Sequence, residues 1–196
     1  MTVSTEVKIF AKPKKVAKRV AKQLFKITQR SSQPRFDIVL SGGSTPKKLF
    51  KALIEKHKDT IPWERIHFWW GDERCVPPDD ENSNFKMASD ILFSQVDIPK
   101  KNIHRIKGEN NPQEEAIRYS EEITENLNLR EGVPVFDLII LGMGDDGHTA
   151  SIFPGQLGLL EKEQLCAVSE HPLTGQKRVT VTGKVINNAS RIFFLV

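Results

Sequence analysis

Three short apolar runs, Phe36–Leu40 (FDIVL), Arg65–Trp70 (RIHFWW) and Phe136–Leu141 (FDLIIL), each end in a polar, glycine-containing loop. An uninterrupted apolar run of five or six residues reads as a strand buried on both faces. Ser41-Gly42-Gly43-Ser44-Thr45-Pro46 follows the first run, and a helical pattern over Lys47–His57 then places Leu49, Phe50, Leu53 and Ile54 on one side. Ser44 or Thr45 is positioned to N-cap that helix, and Pro46 suits its first turn. The spacing predicts further helices over about Phe85–Val96 and Pro112–Leu127 and a short strand over Asn102–Ile106. Leu165–Ser169, Arg178–Thr182 and Arg191–Val196 read as later strands, the last of them buried. Buried strands alternating with helices specify an α/β fold, a mainly parallel central sheet with helices on both faces.

The 196 residues fit a single domain, taken as 1–196. With 38% hydrophobic and 28% charged residues the chain is neither disordered nor fibrous. No apolar run approaches the ~18 residues of a membrane span, and the N-terminus lacks the apolar core of a secretory signal. The expected compartment is the cytoplasm, with no membrane partner. Cys75 and Cys166 are too few for a disulfide framework or a zinc cluster. The net charge of +4 is concentrated: residues 1–30 hold nine Lys and Arg against one Glu, whereas the rest hold 20 basic and 24 acidic side chains. In that segment Val16, Val20, Leu24 and Ile27 repeat at helical spacing, with Ala17 and Ala21 beside them. A basic helix can bind nucleic acid or an anionic membrane, but no aromatic interleaves these charges. We read it as the solvated outer face of a packed helix and expect no nucleic-acid partner.

Open α/β sheets bind ligands outside the carboxyl ends of their strands, so Ser41–Thr45, Gly71–Arg74 and Gly142–His148 are expected to converge. In the first loop, Gly42 and Gly43 let backbone N–H groups approach an anion at a helix N-terminus, and Ser44 and Thr45 add hydroxyls. The bland alternative is a tight turn with a cap. The third loop, GMGDDGHTAS, supplies His148 as a base near neutral pH and Asp146 to orient it. The same residues with Asp72 could instead ligate a metal, or form a helix cap beside a surface histidine. Arg74 could hold a phosphate or an oxyanion, or belong to a self-satisfied cluster with Asp72 and Glu73. Arg178 could bind phosphate or be solvated on an edge strand. Cys75 is read as packing, and Trp63, Trp69 and Trp70 as core.

SGGSTP, GDERCVPPDDENSNFKMA, LGMGDDGHTASIFPG and RVTVT…INNAS, in this order, closely resemble the 6-phosphogluconolactonases. The resemblance covers essentially the whole chain. It implies a Rossmann-like three-layer sandwich shared with the glucosamine-6-phosphate deaminases and isomerases, and hydrolysis of 6-phosphoglucono-δ-lactone in the pentose phosphate pathway. Deaminases resemble the chain in GSTP and DGH but read DGHIGFNEP, with a Glu where Phe153 stands. A non-catalytic sugar-phosphate-binding regulator is the other alternative, and the intact DGH loop argues against it. Many of the lactonases read SPKPPPxR before the RVT strand; here the run is HPLTGQKR, with Leu173 in place of the Lys. Family members usually continue past the last strand with a Gly…Lys segment and a helix. These 196 residues are therefore expected to lack a substrate-contacting Lys and part of the sheet's cover.

On this reading His148 activates water and Asp146 supports it. Gly42, Gly43, Ser44, Thr45, Asp72, Arg74 and Arg178 bind the substrate and its phosphate. The lactone carbonyl is already electrophilic, so no metal or organic cofactor is expected. The partner is a small phosphorylated sugar lactone, and the protein is expected as a monomer or homodimer.

Overall fold

The computed structural model describes residues 4–196. In chain order the elements are α1 (Pro13–Arg30), β1 (Phe36–Leu40), α2 (Ser44–His57), β2 (Ile66–Trp70), β3 (Asp72–Arg74), α3 (Asn84–Ile91), β4 (Ile103–His104) and α4 (Pro112–Asn126). There follow β5 (Leu129–Arg130), β6 (Val133–Pro134), β7 (Leu138–Gly142), β8 (Cys166–Glu170), β9 (Lys177–Val181), α5 (Gly183–Asn188) and β10 (Ile192–Leu195). A five-stranded sheet runs β10-β7-β1-β2-β4, with every pairing parallel. The three apolar runs form its centre, as their uninterrupted hydrophobicity requires.

Successive residues of β2 face opposite sides. Phe68 and Trp70 pack on Phe93 and Phe85 around α3, whereas Trp69 lies between His104, Tyr119 of α4 and Phe136. Helical layers therefore cover both faces. Trp63, Trp69 and Trp70 are all core residues. Removing any one would leave a cavity costing about 3–5 kcal/mol.

The predicted elements shift in four places. Gly43, at φ +101°, is the N-cap of α2, and neither Ser44 nor Thr45 caps it through its side chain. The third helix is capped by Ser83 and ends at Ile91, after which Phe93–Gln95 tighten into a 3-10 turn. In α1 the fully buried stripe is Ala17, Ala21, Leu24 and Thr28 rather than the valines, because small side chains let α1 lie close against α2. The last run is an edge strand pairing only with β7, and Phe194 is 57% exposed.

The largest departure is a second sheet. β8 and β9 do not extend the parallel sheet but form an antiparallel sheet of order β3-β9-β8. Its third strand is Asp72–Arg74, whose polar sequence predicts a loop. This sheet carries Arg178 on its middle strand and places it opposite Arg74. Among the described residues no helix is long and apolar enough to cross a membrane.

Candidate active site

The three loops meet beyond the carboxyl ends of β1, β2 and β7, and direct bonds join them. The Ser41 hydroxyl donates to Ile140 O at 2.6 Å, tying the first loop to β7. The Ser151 hydroxyl donates to Asp72 Oδ2 at 2.6 Å, tying the third loop to the second. Asn84 packs over the first loop: a Cβ on Gly42 would overlap its carboxamide, whose Nδ2 donates to Asp72 O at 2.9 Å. The two glycines thus have separate reasons. Gly42 makes room for Asn84, and Gly43 takes the left-handed backbone that starts α2. The first helical bond runs from Lys47 N–H to Gly43 O, so the N–H groups of Ser44 and Thr45 precede it at the positive end of the helix.

In the third loop, Gly144 N–H donates to His148 O and Gly147 N–H donates to Gly144 O, both at 2.9 Å. Gly147 has φ +85°. A Cβ on Gly144 would collide with the His148 ring. This folded-back turn brings His148 Nδ1 to 2.5 Å from Asp146 Oδ1, which also accepts the His148 backbone N–H at 3.1 Å. The hydrogen bond from His148 holds the Asp146 carboxyl below its ordinary range. An ionised Asp146 keeps the proton on Nδ1 and leaves the Nε2 lone pair available.

Phe153 connects this dyad to the arginines. Its ring lies 4.6 Å from that of His148 and 5.2 Å from that of His171, and the Arg178 guanidinium stands 5.6 Å from its centroid. Phe153 is buried, and its phenyl ring offers no acid. Arg178, 8% exposed, lies 3.8 Å from Asp72 Oδ2, and its Nη1 donates weakly to the Ser151 hydroxyl. Arg178 and Arg74 face one another across β9 and β3, a like-charge arrangement that is unfavourable without an anion. Burial, and then Arg74, lower the Arg178 pKa. Arg74 Nη1 donates to Asn82 O at 2.7 Å, while the Nε atoms of both arginines are buried without a partner among the described residues.

Asp72 and Glu73 form no simple salt-bridge cluster with Arg74. Asp72 is buried and directed at Ser151, Arg178 and Asn84. Glu73 accepts backbone N–H groups of Arg74, Asn84 and Phe85 and the Ser83 hydroxyl, holding the start of α3. Desolvation raises its pKa against those bonds. Burial, then Glu73, push the Cys75 thiol up, against a reactive thiolate. Among the described residues no group of three or more His, Cys, Asp or Glu is placed to hold a metal. Leu173, at the tip between β8 and β9, is 90% exposed. Below it His171 Nδ1 accepts the N–H groups of Leu173 and Thr174.

Sequence reasoning missed Asn84, Gly144, Ser151 and His171. Asn84 and Ser151 lay within the quoted NSNFKMA and GHTASIFPG blocks, but nothing local marks an Asn or Ser as reaching a carboxylate 12 or 79 residues away.

The model for "Glucosamine-6-phosphate isomerases/6-phosphogluconolactonase" matches residues 11–196. A 6-phosphogluconolactonase of Haemophilus influenzae is 49% identical over 160 residues, covering 81% of this chain and 67% of that protein. One from Treponema pallidum is 46% identical over 159 residues, covering 81% and 66%. The chain thus spans about two thirds of the length of these curated relatives. The crystal structure of devB protein superposes with a TM-score of 0.90 at 48% identity, covering 95% of this chain and 78% of that one. The Trypanosoma brucei 6-phosphogluconolactonase gives 0.87 at 28% identity, covering 98% and 82%. A monomeric glucosamine-6-phosphate deaminase shares the fold, with a TM-score of 0.76 at 20% identity. These relatives bear out both the Rossmann-like fold and the lactonase resemblance, and the chain belongs to the glucosamine-6-phosphate isomerase/6-phosphogluconolactonase family.

Proposed function

We propose that the chain is a catalytic domain, residues 1–196, that hydrolyses 6-phosphoglucono-1,5-lactone to 6-phosphogluconate. The observation that carries the reading is the Asp146–His148 pair, 2.5 Å apart, with Nε2 unengaged among the described residues. His148 Nε2 takes a proton from water as its oxygen attacks C1. The tetrahedral oxyanion collapses, the C1–ring-oxygen bond breaks, and the imidazolium returns the proton to the ring oxygen, leaving the C5 hydroxyl. Asp146 stabilises the imidazolium that forms between these steps.

The phosphate is held by the Gly42–Thr45 backbone at the start of α2 and by Arg74 and Arg178. The opposed arginines support this, because a dianion relieves their repulsion and fills their open donors. Asp72 positions Arg178 and Ser151. Binding the phosphate at a distance orients C1 for attack and discriminates against unphosphorylated lactones. Phe153 fills the place of the deaminase acid, which disfavours amine chemistry. Two unpaired thiols, Cys75 and Cys166, suit a reducing compartment, and we place the activity in the cytoplasm, in a monomer or homodimer.

The test is acid release from freshly prepared 6-phosphogluconolactone above its spontaneous rate, beside ammonia release from glucosamine-6-phosphate. Lactone opening without ammonia supports the reading. Comparable ammonia release, or no acceleration of lactone opening, refutes it.

A further inference from the structure

A cavity of about 510 Å³ lies at the opposite end of the parallel sheet, where its strands begin. Phe36 opens β1, Asp137 immediately precedes β7, and Arg191 immediately precedes β10, and all three line it. It is therefore a strand length, about 15 Å, from the catalytic loops. Its volume is within the range of small-molecule sites.

The cavity's character comes from α1. Arg19, Gln23, Lys26 and Arg30 recur at intervals of four, three and four residues, which places them on one helical stripe, and all four line the cavity. Arg191 adds a fourth cation from the facing strand entrance. None of the four cations makes an ion pair or side-chain hydrogen bond among the described residues, although the surface around them is not short of pairs such as Arg35–Asp37. The one carboxylate lining the cavity, Asp137, is engaged: its Oδ2 accepts the Asp37 N–H at 2.8 Å. Burial raises its pKa, while the neighbouring Arg191 charge acts in the opposite direction. The helix dipole accounts for Arg30, in the last turn, but its influence ends well before Arg19. Ile27 is half-buried on the cleft wall, and Phe36 is buried beneath it.

We propose that this cavity is an accessory binding site for a phosphorylated small molecule carrying two or more phosphate groups. Four cations around one concavity exceed what a single phosphate neutralises. A nucleic-acid surface fits less well, because the cations enclose a cleft and no exposed aromatic lies among them to stack a base. The part of the basic N-terminal helix that reads in sequence as a solvated face is thus a wall of this cleft.

Titration calorimetry with inorganic tripolyphosphate tests the site. The wild-type chain is expected to bind, and Lys26→Gln with Arg191→Gln to weaken binding at least about tenfold. Lys14→Gln with Lys18→Gln removes the same charge from α1 outside the cavity and is expected to change affinity by no more than about twofold. Arg74→Ala, which disables the anion site at the other end of the strands, is expected to leave this binding intact. The proposal fails if tripolyphosphate does not bind, if both charge pairs weaken it equally, if Arg74→Ala abolishes it, or if a single-stranded oligonucleotide binds more tightly. Melting temperatures check that each variant is folded. If the Lys26/Arg191 variant melts early, Lys26→Gln with Arg30→Gln, both exposed on α1, makes the same comparison.

Discussion

The Asp146–Gly147–His148 turn is open to solvent and held by backbone hydrogen bonds, whereas Asp72, Glu73 and Arg178 are buried and held by side chains. In the first region glycines do the shaping, and only one side-chain pair, His148 to Asp146, is needed. In the second, water is excluded, so a polar atom left without a partner, such as the Arg178 Nε, is costly. The contrast teaches where chemistry and stability can be separated. A side chain on the exposed turn can change without disturbing the fold. One in the buried network cannot, because it leaves another charge unpaired.

His148→Asn separates the two most sharply. The variant keeps a polar side chain but cannot relay a proton, so kcat is expected to fall by about 10²–10⁴-fold. Its melting temperature should stay at the wild-type value; a large drop would make His148 structural. Asp72→Ala should do the reverse in kind. It strips Arg178 and Ser151 of their shared carboxylate, and a loss of about 3 kcal/mol, or about 6–12 °C in Tm, is expected in thermal unfolding. A fully stable Asp72→Ala would dissolve the contrast.

Gly144→Ala tests whether backbone shape positions the base. The added methyl meets the His148 ring, and displacing it by about an ångström should lower kcat by up to about 10²-fold with little change in KM. The smallest effect is in the titrations. Carbon-13 NMR should find Asp146 titrating below, and Glu73 above, the usual range for their types. Asp146 favours the folded state above its unfolded pKa, and that contribution is lost as pH falls through its lowered native value. Glu73 acts oppositely: its contribution is present at low pH and is lost as pH rises through its raised native value. Equal titration of the two carboxyls would show that burial does not separate them.

The parallel sheet was legible because FDIVL and FDLIIL need apolar neighbours on both faces, and no other arrangement supplies them. His148 and Asp146 were legible because their partnership is local, two residues apart. Asp72–Arg74 was not legible as a strand. Its residues are polar and two of them are buried, a pattern that propensity assigns to a loop and that only pairing with β9 explains. The cap of α2 failed for a related reason. Ser44 and Thr45 have the chemistry of a cap, but the φ of Gly43 starts the helix one residue earlier than either could serve. In α1 the valines have the hydrophobicity and the alanines have the burial, since how closely two helices approach is a property of the pair.

The pairing of Arg74 with Arg178, and the bond between Ser151 and Asp72 across 79 residues, also bear on the order of folding. Long segments must close before these contacts exist, and closure entropy grows with their length. Helices such as α1 and α4 can form from local contacts, but the anion-binding corner waits for β3, β8 and β9 to assemble. In refolding from denaturant, substrate affinity should therefore return after the helical signal. A chain stalled before that last assembly would look largely native by circular dichroism while lacking the means to hold a phosphate.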